Sequence, residues 1–167
     1  MAFKFSTVFR QELLSNASGG VREILNGGFI HIYSGTPPAS ADGEITGDLL
    51  ATIYSDGSSA GLNFDAPAGS NTFIQKAAAQ SDWNNATAGN VGTGTATHFI
   101  FVGPGAGNED GDLSATREGT GNATVRILGN VGVAGFDLNL SNTSLTSGQT
   151  QEINSFNISI PESLGFS

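Results

Sequence analysis

The sequence predicts a mainly β protein, an antiparallel β-sandwich or jelly-roll of about seven or eight short strands behind a short N-terminal helix. Three observations predict it. Phe136-Asp137-Leu138-Asn139-Leu140 and Phe156-Asn157-Ile158-Ser159-Ile160 alternate apolar with polar residues, the pattern of strands with one face on a core. Ser, Asn, Thr and Gly fill the stretch between them, which reads as a turn between antiparallel neighbours. Charged residues make up only 13% of the 167-residue chain, and Gly, Ser, Thr and Asn take their place. That composition suits short strands and tight turns better than long helices with a charged wet face.

Taken in order, Phe5, Phe9 and Leu13 recur at helical spacing, with Val8 and Leu14 beside them and Arg10, Gln11 and Glu12 opposite. Ser6 or Thr7 can cap the start. Residues 15–20 interrupt the helix, 21–25 add about one turn, and Asn26-Gly27-Gly28 stops it. Phe29-Ile30-His31-Ile32-Tyr33 is apolar on both faces and reads as a central strand, ended by Pro37 and Pro38. The loop to Gly47 is polar and expected to be exposed. Residues 49–54 and 62–64 are further strands, and 73–79 fit either a strand end or a helical turn. Residues 95–102 and 123–128 are rich in β-branched and aromatic side chains and read as strands. Ile153 falls out of phase with Phe156, Ile158 and Ile160, which suggests a bulge near Ser155. The domain plan is a helical segment or arm over residues 1–26 and a sandwich over 27–167.

Composition also limits function. A formal net charge of −9 repels phosphate backbones, and Lys4, Arg10, Arg22, Lys76, Arg117 and Arg126 form no patch in sequence, so no nucleic-acid partner is expected. The absence of cysteine removes disulfides, thiolate metal sites and cysteine nucleophiles. The opening Met1-Ala2-Phe3-Lys4-Phe5 lacks the apolar stretch of a signal peptide, and no apolar run has the length of a membrane span. The expectation is a soluble protein made in the cytoplasm, without a membrane partner.

The motifs that suggest chemistry lack the context it needs. Gly57-Ser58-Ser59-Ala60-Gly61 matches a hydrolase nucleophile elbow, but residues 62–67 cannot supply the helix that must follow it. Asn108-Glu109-Asp110-Gly111-Asp112 has the alternating oxygens of a calcium loop, yet Leu113 and Gly119 stand where an EF-hand needs Gly and Glu; a looser Ca²⁺ site and an Asp-Gly turn both remain open. His31 and His98 lie in predicted strands with no third ligand at zinc spacing, which favours structural histidines. Residues 103–107 are glycine-rich without the Lys-Ser/Thr of a phosphate loop. No catalytic residue, metal or cofactor is expected, and the chain is read as non-enzymatic. Phe3, Phe5 and Phe9 at so short a spacing imply an N-terminus tied either to the core or to a partner. The candidate protein-contact residues are Phe3, Phe5, Phe9, Leu13, Leu164 and Phe166.

Residues 5–10 (Phe-Ser-Thr-Val-Phe-Arg), residues 25–38 from Leu25 through Ile30-His31-Ile32-Tyr33 to Pro38, Leu49-Leu50-Ala51-Thr52, Gly94-Thr95-Ala96-Thr97-His98-Phe99, and Asp137-Leu138-Asn139-Leu140 followed by Ser147-Gly148-Gln149 form a set of short stretches spread over most of the chain. Together they resemble small structural proteins of tailed bacteriophages and prophages. Residues 15–20 interrupt the pattern, and 71–90 have no counterpart in it. The resemblance implies a virion component assembled in the host bacterial cytoplasm, best matched by a capsid decoration (cement) protein. Its partners would be the major capsid protein or another virion protein, and it would form a homo-oligomer. A tail, baseplate or fibre-associated protein of the same particle is the alternative. From the residues alone, a carbohydrate-binding module with Trp83 or Tyr54 as stacking platform is another.

Overall fold

A computed structural model describes residues 3–15, 20–57, 59–69, 72–80, 82–87, 89–104 and 125–159. The chain is mainly β, with two short helices. The strands are β1 (Lys4–Phe5), β2 (Phe29–Tyr33), β3 (Leu49–Ile53), β4 (Phe64–Asp65), β5 (Phe73–Lys76), β6 (Trp83–Asn84), β7 (Gly94–Thr95), β8 (His98–Val102), β9 (Arg126–Gly132), β10 (Leu138–Asn139), β11 (Ser144–Leu145), β12 (Glu152–Ile153) and β13 (Asn157–Ser159). The helices are α1 (Thr7–Ser15) and α2 (Val21–Leu25). The described residues thus hold thirteen strands where the sequence suggested seven or eight. The excess comes from two-residue strands such as β6 and β12, too short to show any periodicity.

One six-stranded sheet organises the molecule, in the order β1-β9-β8-β2-β3, with β10 also paired to β9. β2 is central, as its two-sided apolar pattern predicted, and it pairs antiparallel with β3 and β8. Its register sets the faces. Ile30 lies opposite Phe101 and Ile32 opposite Phe99, while His31 meets Ile100 and Tyr33 meets His98. Ile30, Ile32, Phe99, Phe101 and Ile127 therefore line one face, where they join the main core. Phe64, Ile74, Trp83, Leu145, Ile153, Phe156 and Ile158, from or beside the small sheets β13-β5-β4, β12-β6 and β11-β7, pack into the same core.

The C-terminal alternation predicts faces correctly and neighbours incorrectly. Leu138, Leu140, Phe156 and Ile158 are buried while Asn139, Asn157 and Ser159 are exposed. The two runs do not pair with each other. β10 runs parallel to β9, with Leu138 opposite Val131, and β13 runs antiparallel to β5, with Ile158 opposite Ile74. The phase break at residues 154–156 is a change of sheet and not a bulge, because β12 pairs with β6 and β13 with β5. Phe136 is also exposed, at 48%, because its strand starts only at Leu138. Its ring lies against Gly132, where a side chain would collide with it.

Helix α1 starts later than the Phe5-Phe9-Leu13 spacing suggests. The backbone of Lys4 and Phe5 pairs with Leu128 and Ile127 at the edge of the sheet, so the chain becomes helical only after Ser6. Ser6 is the cap: its Oγ accepts the N–H of Phe9 at 3.2 Å and that of Arg126 at 2.9 Å. Gly20 donates to Glu23 Oε2 at the start of α2, and Gly27, at φ 86°, ends the turn in a conformation that favours glycine. Phe9, Ile24 and Leu25 belong to the same core cluster as the sheet, so the described part of the first 26 residues is packed on the rest.

Candidate functional site

Of the six predicted contact residues, four can be placed. Phe9 is fully buried and its ring stacks on Phe5 at 4.8 Å. Phe3 sits edge-on to Phe99 at 6.3 Å and Phe156 at 6.1 Å, and Phe3, Phe5 and Leu13 are half-buried against the core. The aromatic N-terminus is thus tied to its own sheet, with the outer sides of Phe3, Phe5 and Leu13 still accessible. Leu164 and Phe166 lie outside the described residues, as does the 108–112 loop. Among the described residues the large apolar side chains most open to solvent are Leu14, Val91, Val133 and Phe136, of which Leu14 is 87% exposed. Sequence reasoning missed Val91, a single apolar residue between Asn90 and Gly92, and Val133, which follows Val131 by two and reads as the end of a strand.

The second face of the sheet holds its polar groups. The His31 ring shares a hydrogen bond with Thr52 Oγ1, from Nδ1 at 2.9 Å, and both residues are buried. Tyr33 stacks on His98 with centroids 5.5 Å apart. Thr97 Oγ1 donates to the carbonyl of Gly35 at 2.7 Å and lies 2.9 Å from Nδ1 of His98. His98 has no exposed surface, and burial pushes its pKa down to about 4. Over this face runs the segment 34–48. The segment is exposed or half-buried, as its polar composition predicts, except that Ala41 is buried among Tyr33, Ile100, Val102 and Leu128, with Ile45 and Leu49 packed alongside. Two apolar residues in a polar stretch were the available signal.

That segment is pinned from outside. Thr7 donates its backbone N–H and its hydroxyl to the Asp42 carboxylate, at 2.9 Å and 2.8 Å to Oδ2. The acid thus sits at the positive end of α1. Lys4 Nζ donates to the carbonyl of Ala39 at 2.9 Å.

Other motifs resolve into structure. Asp56 Oδ1 accepts the N–H groups of Ser59 and Ala60, both at 2.9 Å, and Leu62 bridges to Gly28, so the Asp56 side chain braces the chain at 59–60 and no helix follows. Trp83 is fully buried and donates Nε1–H to Gln80 Oε1 at 3.1 Å; Tyr54 is buried as well. Neither ring offers a face for a sugar, which removes the basis of the carbohydrate reading. Among the described residues no three His, Cys, Asp or Glu side chains come together as a metal would need. A groove of about 380 Å³ runs between α2, Ala66-Pro67 and β5, lined by Val21, Phe73, Ile74 and Ile158. A second of about 320 Å³ lies beside Lys76, whose ammonium donates to the Ile153 carbonyl at 2.9 Å and whose pKa burial lowers.

Compared with protein-family models, curated proteins and solved structures, the chain finds no match in any of the three.

Proposed function

We propose that this chain is a non-enzymatic structural component of a tailed-phage virion, a capsid decoration protein that binds the outer shell in many copies and stabilises it. The observation that carries the reading joins sequence to fold. Each of the stretches that resemble phage structural proteins, except 147–149, contributes at least one residue to the six-stranded sheet, through β1, β2, β3, β8 or β10, although 5–10 lies mostly in α1 and 94–99 begins in β7 of a smaller sheet. That shared sheet supports the reading. We also propose that this sheet and the smaller sheets behind its core are the two layers of a sandwich of the jelly-roll kind. The core cluster that both contribute to supports that view.

Binding of this kind needs no reactive group. It needs a rigid module, contacts of modest strength and many copies, so that avidity multiplies a weak single affinity. The half-buried Phe3, Phe5 and Leu13, with exposed Leu14 beside them, are the first contact candidates, towards the major capsid protein or a sister copy. Imaging the particle with this protein labelled tests the reading. Label arrayed over the shell is the expected result. Label on the tail or baseplate would move the protein to the other part of the virion, and particles without label would end the proposal.

A further inference from the structure

We infer that segment 34–48 is an acid-released strap, opened at its neck when His98 takes up a second proton. The neck is closed by backbone and side chain together. Ser34 N–H donates to the Asp48 carbonyl at 3.0 Å, and Asp48 N–H returns a bond to Ser34 Oγ at 3.2 Å. Gly35 and Gly47 face each other there; a side chain at Gly47 would overlap the carbonyl oxygen of Ser34 and reach 3.5 Å from Cε1 of His98. The imidazole edge therefore lies directly under the neck.

The hydrogen-bond chain favours one tautomer. Thr97 has one hydroxyl hydrogen and two carbonyl acceptors, Gly35 at 2.7 Å and Tyr33 at 3.3 Å. Thr97 Oγ1 is then the acceptor for His98 Nδ1–H at 2.9 Å. Nε2 is buried with no hydrogen-bond partner. A proton there places a charge and an unpaired donor under the strap, where neither is tolerated without a partner. Opening the neck gives both to water.

The surrounding groups do not offset that charge. From β2 come the Tyr33 ring and, further along, His31; from β9 comes Asn130, opposite His98, with its N–H held by Asp137. Arg126 is four residue pairs along that strand, opposite Val102. The strap carries Asp42, Glu44 and Asp48, and Lys4 approaches it from β1. Burial is what depresses the pKa of His98, and among the described residues no hydrogen bond joins its imidazole to any of these carboxylates.

The linkage sets the size of the effect. With a pKa of about 4 closed and the ordinary 6.5 open, the open fraction grows as pH falls between those values, by about 300-fold in total. Amide exchange on the full chain, followed by NMR from pH 7 to pH 4 and corrected for intrinsic rates, reads this directly. Over that range, which stops at the closed-state pKa, protection at Ser34 and Asp48 is expected to fall by about 100-fold, while Ile30 and Ile32 of β2 stay protected. In His98→Asn, which keeps a donor near the Nδ1 position and cannot titrate, the fall should disappear. Persistence of the fall in that variant, no fall in the wild type, or equal loss at Ile30 and Ile32 would each overturn the inference. If the variant does not fold, the wild type still decides: loss of neck protection must track the His98 imidazole shifts, and loss that does not track them refutes it.

Discussion

On one face of the six-stranded sheet, Ile30, Ile32, Phe99, Phe101 and Ile127 meet an aromatic hub in which Phe156 touches Phe3, Phe64, Trp83 and Phe99 at centroid distances of 5.5–6.2 Å. On the other, His31, Tyr33 and His98 stand with Ile100 and Leu128 under a pinned loop. The first face is apolar throughout, so nothing in it responds to pH. The second mixes apolar cover with titratable rings, and its packing depends on His98 staying neutral. The same strands thus supply an unconditional core on one side and a conditional one on the other.

Breaking the hub should have the largest effect. Phe156→Ala removes a ring packed on four others and should cost about 3–5 kcal/mol in chemical denaturation, at pH 7 and pH 5 alike. The second face should behave differently. The unfolded chain takes up a proton on His98 near its ordinary pKa of 6.5, whereas the folded chain resists until about pH 4. Stability from this group is complete above pH 6.5 and declines as pH falls towards 4, by up to about 3 kcal/mol. Denaturation of wild type and His98→Asn at pH 7, 5.5 and 4 should show the two converge in acid.

A smaller effect is expected from the outer pin. Asp42→Ala leaves the Thr7 donors at the start of α1 without an acceptor and should cost about 1 kcal/mol. Loosening should be concentrated in 34–48, as read by amide exchange. The smallest belongs to the exposed apolar residues. Leu14→Ser and Phe136→Ser should each change stability by less than about 0.5 kcal/mol. Since Phe9 is in the core, Leu14→Ser is a cleaner probe of partner contact than truncating the N-terminus. Loss of shell binding by a folded Leu14→Ser protein would place the interface at the end of α1.

The contrast also marks what the sequence could reveal. β2 and β8 were legible because five successive buried residues leave few alternatives to a central strand. The alternation from Phe156 to Ser159 was legible as a face. Its partner was not, since a period of two says which side is buried and nothing about which strand lies alongside. Phe5 read as helical because its spacing to Phe9 is helical, yet the free edge of β9 captured its backbone. Segment 34–48 read as exposed from its polar composition and largely is, but two apolar anchors and two outside hydrogen-bonding contacts, invisible to composition, hold it to the sheet. Long-range pairing decided each of these, and no local window contains it. The contact candidates fared unevenly for the same reason: Phe9 proved internal, while Val91 gave no periodic cue and Val133 read as the end of a strand.

The reading of this molecule as a shell-binding module is tested most directly by quantitative mass spectrometry of separately purified heads and tails from the particle that carries it. The account predicts the chain in the head fraction, in many copies per particle. Finding it only in tails, or in neither fraction, would contradict it.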